Sequence, residues 1–141
     1  MKASIFFRIS AVLLALFAAG HTFGFLSFVA PTPEAVSVKQ AMDSVRFGSA
    51  SLSYGDIYKG FGLFVSAALV FVTIMAWWAG DLSKTAPGSA RFLGATLVLF
   101  MLASLILSLT YFAFPPAVFS AVIALCMAAG SLLAGKSAAR A

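Results

Sequence analysis

Residues 56–79 read DIYKGFGLFVSAALVFVTIMAWWA, and the only charges in the stretch, Asp56 and Lys59, stand in its first four positions. At about 1.5 Å of rise per residue a helix of this length covers about 36 Å. About 20 mainly apolar residues suffice to cross the hydrocarbon core of a bilayer. Three more stretches read the same way, at about residues 5–29, 91–114 and 117–134. The sequence therefore predicts an all-α polytopic membrane protein. Its four transmembrane helices form an antiparallel bundle, a single domain over residues 1–141.

Composition supports this and closes other routes. The chain has 141 residues, 62% of them hydrophobic and 9% charged, with a mean hydropathy of +1.07. A soluble domain carries roughly 25% charged residues. A soluble fold of this composition would expose large apolar patches, so the first partner expected is the lipid bilayer. The four helices nearly exhaust the length, leaving no room for a soluble domain. The net charge of +5 comes from basic residues scattered along the helix flanks, which is no nucleic-acid footprint. The lone Cys126 excludes an internal disulfide and a cysteine-rich metal site.

Lys2 and Arg8 before an apolar run, with Ala18-Ala19-Gly20 inside it, resemble a signal peptide. The run continues through Phe23, Phe25, Leu26, Phe28 and Val29 to Pro31, long enough to span, so it is expected to stay as the first helix. Pro31 and Pro33 end that helix, Gly80-Asp81 is expected to break the second, and Pro115-Pro116 to form the turn between the third and fourth. Within the first loop, Thr32 suits an N-cap, Pro33 the first helical position, Glu34 the first turn and Gly48 the stop. Between them Ala35, Val38, Met42 and Val45 share a face, predicting an amphipathic helix over about 33–47. That helix covers the bundle or forms a lid over an outward-facing pocket. Residues 48–55 read as a flexible link.

Basic residues near helix ends set topology. Lys2, Arg8, Lys84, Arg91, Lys136 and Arg140 lie on one side; Lys39, Arg46 and Lys59 lie on the other, offset by Glu34, Asp43 and Asp56. The expectation is a multi-pass protein of the bacterial inner membrane with both termini cytoplasmic. Trp77 and Trp78 fall at the inner interface, and Tyr54, Tyr58 and Tyr111 near the outer one.

Few residues offer chemistry. His21 is the only histidine and lies about 12 Å below the outer end of its helix. A polar ionisable group at depth usually faces the bundle interior. It either serves a ligand, metal or proton, or bridges two helices through one hydrogen bond. Gly20 and Gly24 flank it as a GxxxG, and Gly60 and Gly62 lie at similar depth on the antiparallel second helix, an arrangement suited to close helix packing. Thr22, Asp56, Tyr58 and Lys59 complete a candidate ligand-binding set with His21, although Asp56 also suits a helix N-terminus. Ser66 and Thr73 on helix 2, Ser104 and Ser108 on helix 3 and Ser120 on helix 4 read as packing seams. No catalytic arrangement, metal-ligand cluster, haem pair or nucleotide fingerprint stands out, so no cofactor is expected, and an enzyme stays open with no constellation to point to.

The segments Gly20-His21-Thr22-Phe23-Gly24 and Ser53-Tyr54-Gly55-Asp56-Ile57-Tyr58-Lys59-Gly60-Phe61-Gly62-Leu63 resemble a family of uncharacterised small bacterial four-helix integral membrane proteins. That family carries a Gly-His-Thr element in helix 1 and a Ser-Tyr-aromatic-Asp-Phe-Tyr-x-Gly-Phe-Gly-Leu-like element in helix 2. Here Gly55 stands for the aromatic and Ile57 for the Phe. The resemblance implies the four-helix fold and singles out His21, Asp56, Tyr58 and the glycines; it implies no activity. Three functions remain in view. The first is a non-enzymatic scaffold or accessory subunit bound to another membrane protein or a second copy. The second is a binding protein for a small lipophilic ligand, a quinone or lipid, near His21. The third is a small oligomeric transporter.

Overall fold

The computed structural model describes residues 2–49, 51–112 and 114–139. Arg140 of the topology argument, Ala50 of the expected link and Ala113 at the end of the expected third span lie outside them. The described residues form five helices: α1 (Ala3–Leu26), α2 (Pro33–Ser44), α3 (Tyr54–Thr85), α4 (Pro87–Tyr111) and α5 (Phe114–Ala138). All but α2 are long and apolar enough to cross a membrane. The fold is the all-helical, multi-pass class that the sequence predicts.

Several ends differ from expectation, each for a local reason. Gly80-Asp81 does not break α3, which continues to Thr85. A single glycine costs a helix only about 1 kcal/mol, and Gly80 sits close against α1: a β-carbon there would stand 3.2 Å from Arg8 Nε. The actual stop is Pro87, which disfavours helical backbone in the residue before it. Ala86 is accordingly at φ −142°, ψ 71°. Pro87 then starts α4, four residues before the expected Arg91. Pro115 and Pro116 are not a turn either. They sit in the first turn of α5, where a missing N–H costs nothing because it has no intrahelical acceptor. The loop helix ends at Ser44, earlier than expected.

By contacts the chain divides into two units, residues 1–18 with 69–141, and residues 19–68. The larger unit is built from the start of α1, the end of α3, and α4 and α5. Ala11, Leu14, Leu69, Val72, Leu97, Met101, Ile123 and Met127 make its main core. Lipid gives helices no hydrophobic reason to associate, so small residues that let backbones approach matter most. Phe7 is fully buried against two of them. A β-carbon on Gly94 would come within 2.7 Å of the Phe7 ring, and one on Gly130 within 3.2 Å. The Ser104 and Ser120 hydroxyls bond at 2.9 Å between α4 and α5, as their seams suggested. Cys126 is half-buried. Arg8 pairs with Asp81 at 2.6 Å and lies 3.5 Å above the Trp77 ring, so Trp77 is a cation–π partner.

The smaller unit contains the end of α1, all of α2, and the start of α3. Thr32 caps α2 as predicted, its Oγ1 accepting from Ala35 N at 3.2 Å. Among the described residues, the segment read as a flexible link pairs with the chain before it as a hairpin and then enters α3. Phe47 N donates to Leu52 O at 2.9 Å, Tyr54 N donates to Val45 O at 3.2 Å, and the Arg46 guanidinium donates to the Ser51 carbonyl. Gly48, expected to end the helix, holds φ +57° within this hairpin, the left-handed region that favours glycine.

Candidate functional site

The hairpin delivers the chain into α3 through a reciprocal cap. Ser53 Oγ accepts from Asp56 N at 3.0 Å, while Asp56 Oδ2 accepts from Ser53 N at 2.9 Å and Ser53 Oγ at 2.8 Å. This is the capping-box geometry, with aspartate in the acidic position. Asp56 is thereby committed to the helix start; the hydrogen bond of His21 goes elsewhere.

That bond goes to the backbone. His21 Nε2 lies 3.2 Å from the carbonyl oxygen of Gly62. A carbonyl only accepts, so Nε2 carries the proton and, in the neutral ring, Nδ1 is the acceptor. One residue on, Thr22 Oγ1 donates to Ser66 Oγ at 2.8 Å, and Ser66 Oγ donates to the same Gly62 carbonyl at 3.3 Å. Two side chains of α1 thus converge on one turn of α3. Side-chain bonds of this kind join membrane helices because lipid supplies no competing partner.

Phe25, one turn beyond His21, continues the contact. Its ring stacks parallel to the imidazole at a centroid distance of 6.1 Å and meets the Tyr58 ring at 5.5 Å. The ring occupies the space that glycine leaves at position 62. Of the four glycines proposed for packing, only Gly62 does this; β-carbons at Gly20, Gly24 and Gly60 would meet nothing within 4 Å.

Beyond Tyr58 lies a shallow apolar groove of about 480 Å³, lined by Ala41, Met42 and Val45 from the end of α2 and by Tyr54, Ile57, Tyr58 and Phe61 from α3. The volume is within the roughly 300–1,000 Å³ of ligand pockets. His21 does not line it; Phe25 stands between the imidazole and Tyr58. Asp43 links α2 to α3 through Lys59, while its pair with Lys39 lies within α2. Lys39 donates to Asp43 at 2.6 Å, Lys59 approaches the same carboxylate at 3.9 Å, and Asp43 rests on Gly55, whose β-carbon would overlap its Oδ1. The Lys39 hydrogen bond holds the Asp43 carboxyl below its ordinary value. Glu34, at the first turn of α2, is lowered by its backbone hydrogen bond and by Thr32.

Of the predicted ligand-binding residues, His21 and Thr22 therefore tie α1 to α3, Asp56 caps α3, Lys59 braces α2, and Tyr58 alone lines the groove. Sequence reasoning missed Phe25 and the apolar lining. The i, i+4 spacing of His21 with Phe25 and of Tyr58 with Gly62 was the available signal. No group of three or more potential metal-ligating residues comes together among the described residues. Comparison with protein-family models, with curated proteins and with solved structures found no match.

Proposed function

We propose that this multi-pass membrane protein is a non-enzymatic binding protein for a small lipophilic molecule, a quinone or lipid, seated in the groove between the end of α2 and the start of α3. The observation that supports this reading is the groove itself, apolar along its length and edged by two tyrosines. Such rings give apolar contact with one hydroxyl for orientation. The bacterial inner membrane, with cytoplasmic termini, is the setting that the basic residues favour, and the resemblance of residues 20–24 and 53–63 to small bacterial membrane proteins supports it. The test is native mass spectrometry of the full chain from its own membranes. A bound molecule should be present in the wild type and lost in Ala41→Trp, which fills the groove. An unliganded wild type, or equal loading of both, would overturn the reading.

A second reading rests on a different observation. Gly20, Gly24 and Gly60 leave space that nothing among the described residues fills, and small residues at that spacing suit a partner helix. An accessory role beside another membrane protein, or beside a second copy, predicts a co-purifying chain that Gly20→Leu with Gly24→Leu releases while the small molecule stays bound.

A further inference from the structure

In the larger unit, a second cavity of about 440 Å³ opens where α1 begins and α3 and α5 end. Lys2, Lys84 and Lys136 line it, together with Ser4, Ser83 and Ser137. The three amines come from far-apart points of the chain, and folding gathers them around one concave space. Like charges brought together repel, and little among the described residues offsets this. Among the described residues neither Lys2 nor Lys136 has a carboxylate partner; Lys84 reaches Asp81 at 3.3 Å, but Asp81 is shared with Arg8 at 2.6 Å. Ser83 and Ser137 donate to carbonyls of their own helices, so recognition falls to the ammonium groups and the Ser4 hydroxyl. Lysines placed only as topology signals need face no common cavity. These three do.

We infer that this pocket binds a phosphate group. Two sources present that chemistry, the headgroup of an anionic phospholipid and a soluble phosphate. A basic pocket among transmembrane helix ends suits the first, since each lysine there adds to attraction for an anionic headgroup.

The test uses the full chain reconstituted in phosphatidylcholine vesicles with and without phosphatidylglycerol, followed by native mass spectrometry of the released protein. Phosphatidylcholine carries its own choline cation and is the internal control. The wild type should retain phosphatidylglycerol over phosphatidylcholine by about tenfold, and Lys2→Gln with Lys84→Gln and Lys136→Gln should abolish the preference. Arg46→Gln, which removes a charge away from this pocket and from the lining of the α2–α3 groove, should leave it intact. A melting temperature raised by inorganic phosphate in phosphatidylcholine alone, and not in the triple variant, assigns the pocket to a soluble phosphate instead. Equal retention of both lipids with no response to phosphate, or a response that the triple variant keeps, overturns the inference. Helical content by circular dichroism checks that the triple variant folds. Should it not, Lys2→Gln and Lys136→Gln are read singly, and undiminished retention by both is the negative result.

Discussion

The ring of Phe25 lies against Gly62 so closely that a β-carbon on that glycine would stand 2.6 Å from its Cε1 and closer to two other ring atoms. Gly62 therefore does two things with one backbone unit: it admits the aromatic ring, and its carbonyl accepts the His21 proton. Gly62→Ala gains helix propensity of at most about 1 kcal/mol but must displace Phe25, an overpacking cost of about 1–3 kcal/mol. Thermal unfolding in detergent should show Gly62→Ala less stable than wild type. Gly60→Ala, in open space, should equal or exceed it. Equal behaviour of the two variants would mean that Phe25 moves aside freely.

Ser53 and Asp56 hold the first turn of α3 by mutual hydrogen bonds. Ser53→Ala should cost about 1 kcal/mol, the usual worth of a helix N-cap. The loss should be local, read as faster hydrogen exchange over residues 54–57, with the end of α3 unchanged.

Thr22 and Ser66 share one hydrogen bond, so their contributions should not add. A double-mutant cycle of Thr22→Val and Ser66→Ala should give a coupling near the ~0.6 kcal/mol typical between membrane helices. A coupling of zero would assign the Thr22 hydroxyl no part in joining α1 to α3.

Asp43 braces α2 outside the spanning helices, and its pH response has a fixed sign. Its carboxyl is lowered from 3.8 by Lys39. A lowered folded value means that the ionised form is the stabilised one, so the brace is complete above 3.8 and is lost as pH falls below it. Limited proteolysis within residues 33–47 should accelerate in that acid window, and Asp43→Asn should show the faster rate already at neutral pH.

The four spans were legible because run length and hydropathy alone specify them; no pattern of contacts has to be known. Their ends were less so. Gly80 looks like a break until Arg8 is seen close against it, and Pro115 and Pro116 look like a turn although proline fits a helix's first turn equally well. Within the site, His21 stood out because it is polar in an apolar run. Its acceptor did not, because a backbone carbonyl leaves no mark in a sequence. Phe25 and Phe61 were illegible for the opposite reason: an apolar residue among apolar residues gives no contrast, and only the facing of the helices selects it.

The charges of α3 have a consequence for where the groove operates. Lys59 and Asp81 are 22 positions apart in the sequence, about 33 Å along a helix, close to the roughly 30 Å of a hydrocarbon core. The helix thus carries its own depth gauge, with one mark beside Tyr58 and Phe61. If the groove binds a lipophilic molecule as proposed, that molecule would arrive sideways, by diffusion within one leaflet, with its polar end at headgroup height and its tail already in oil. It would never have to leave the bilayer to find its seat.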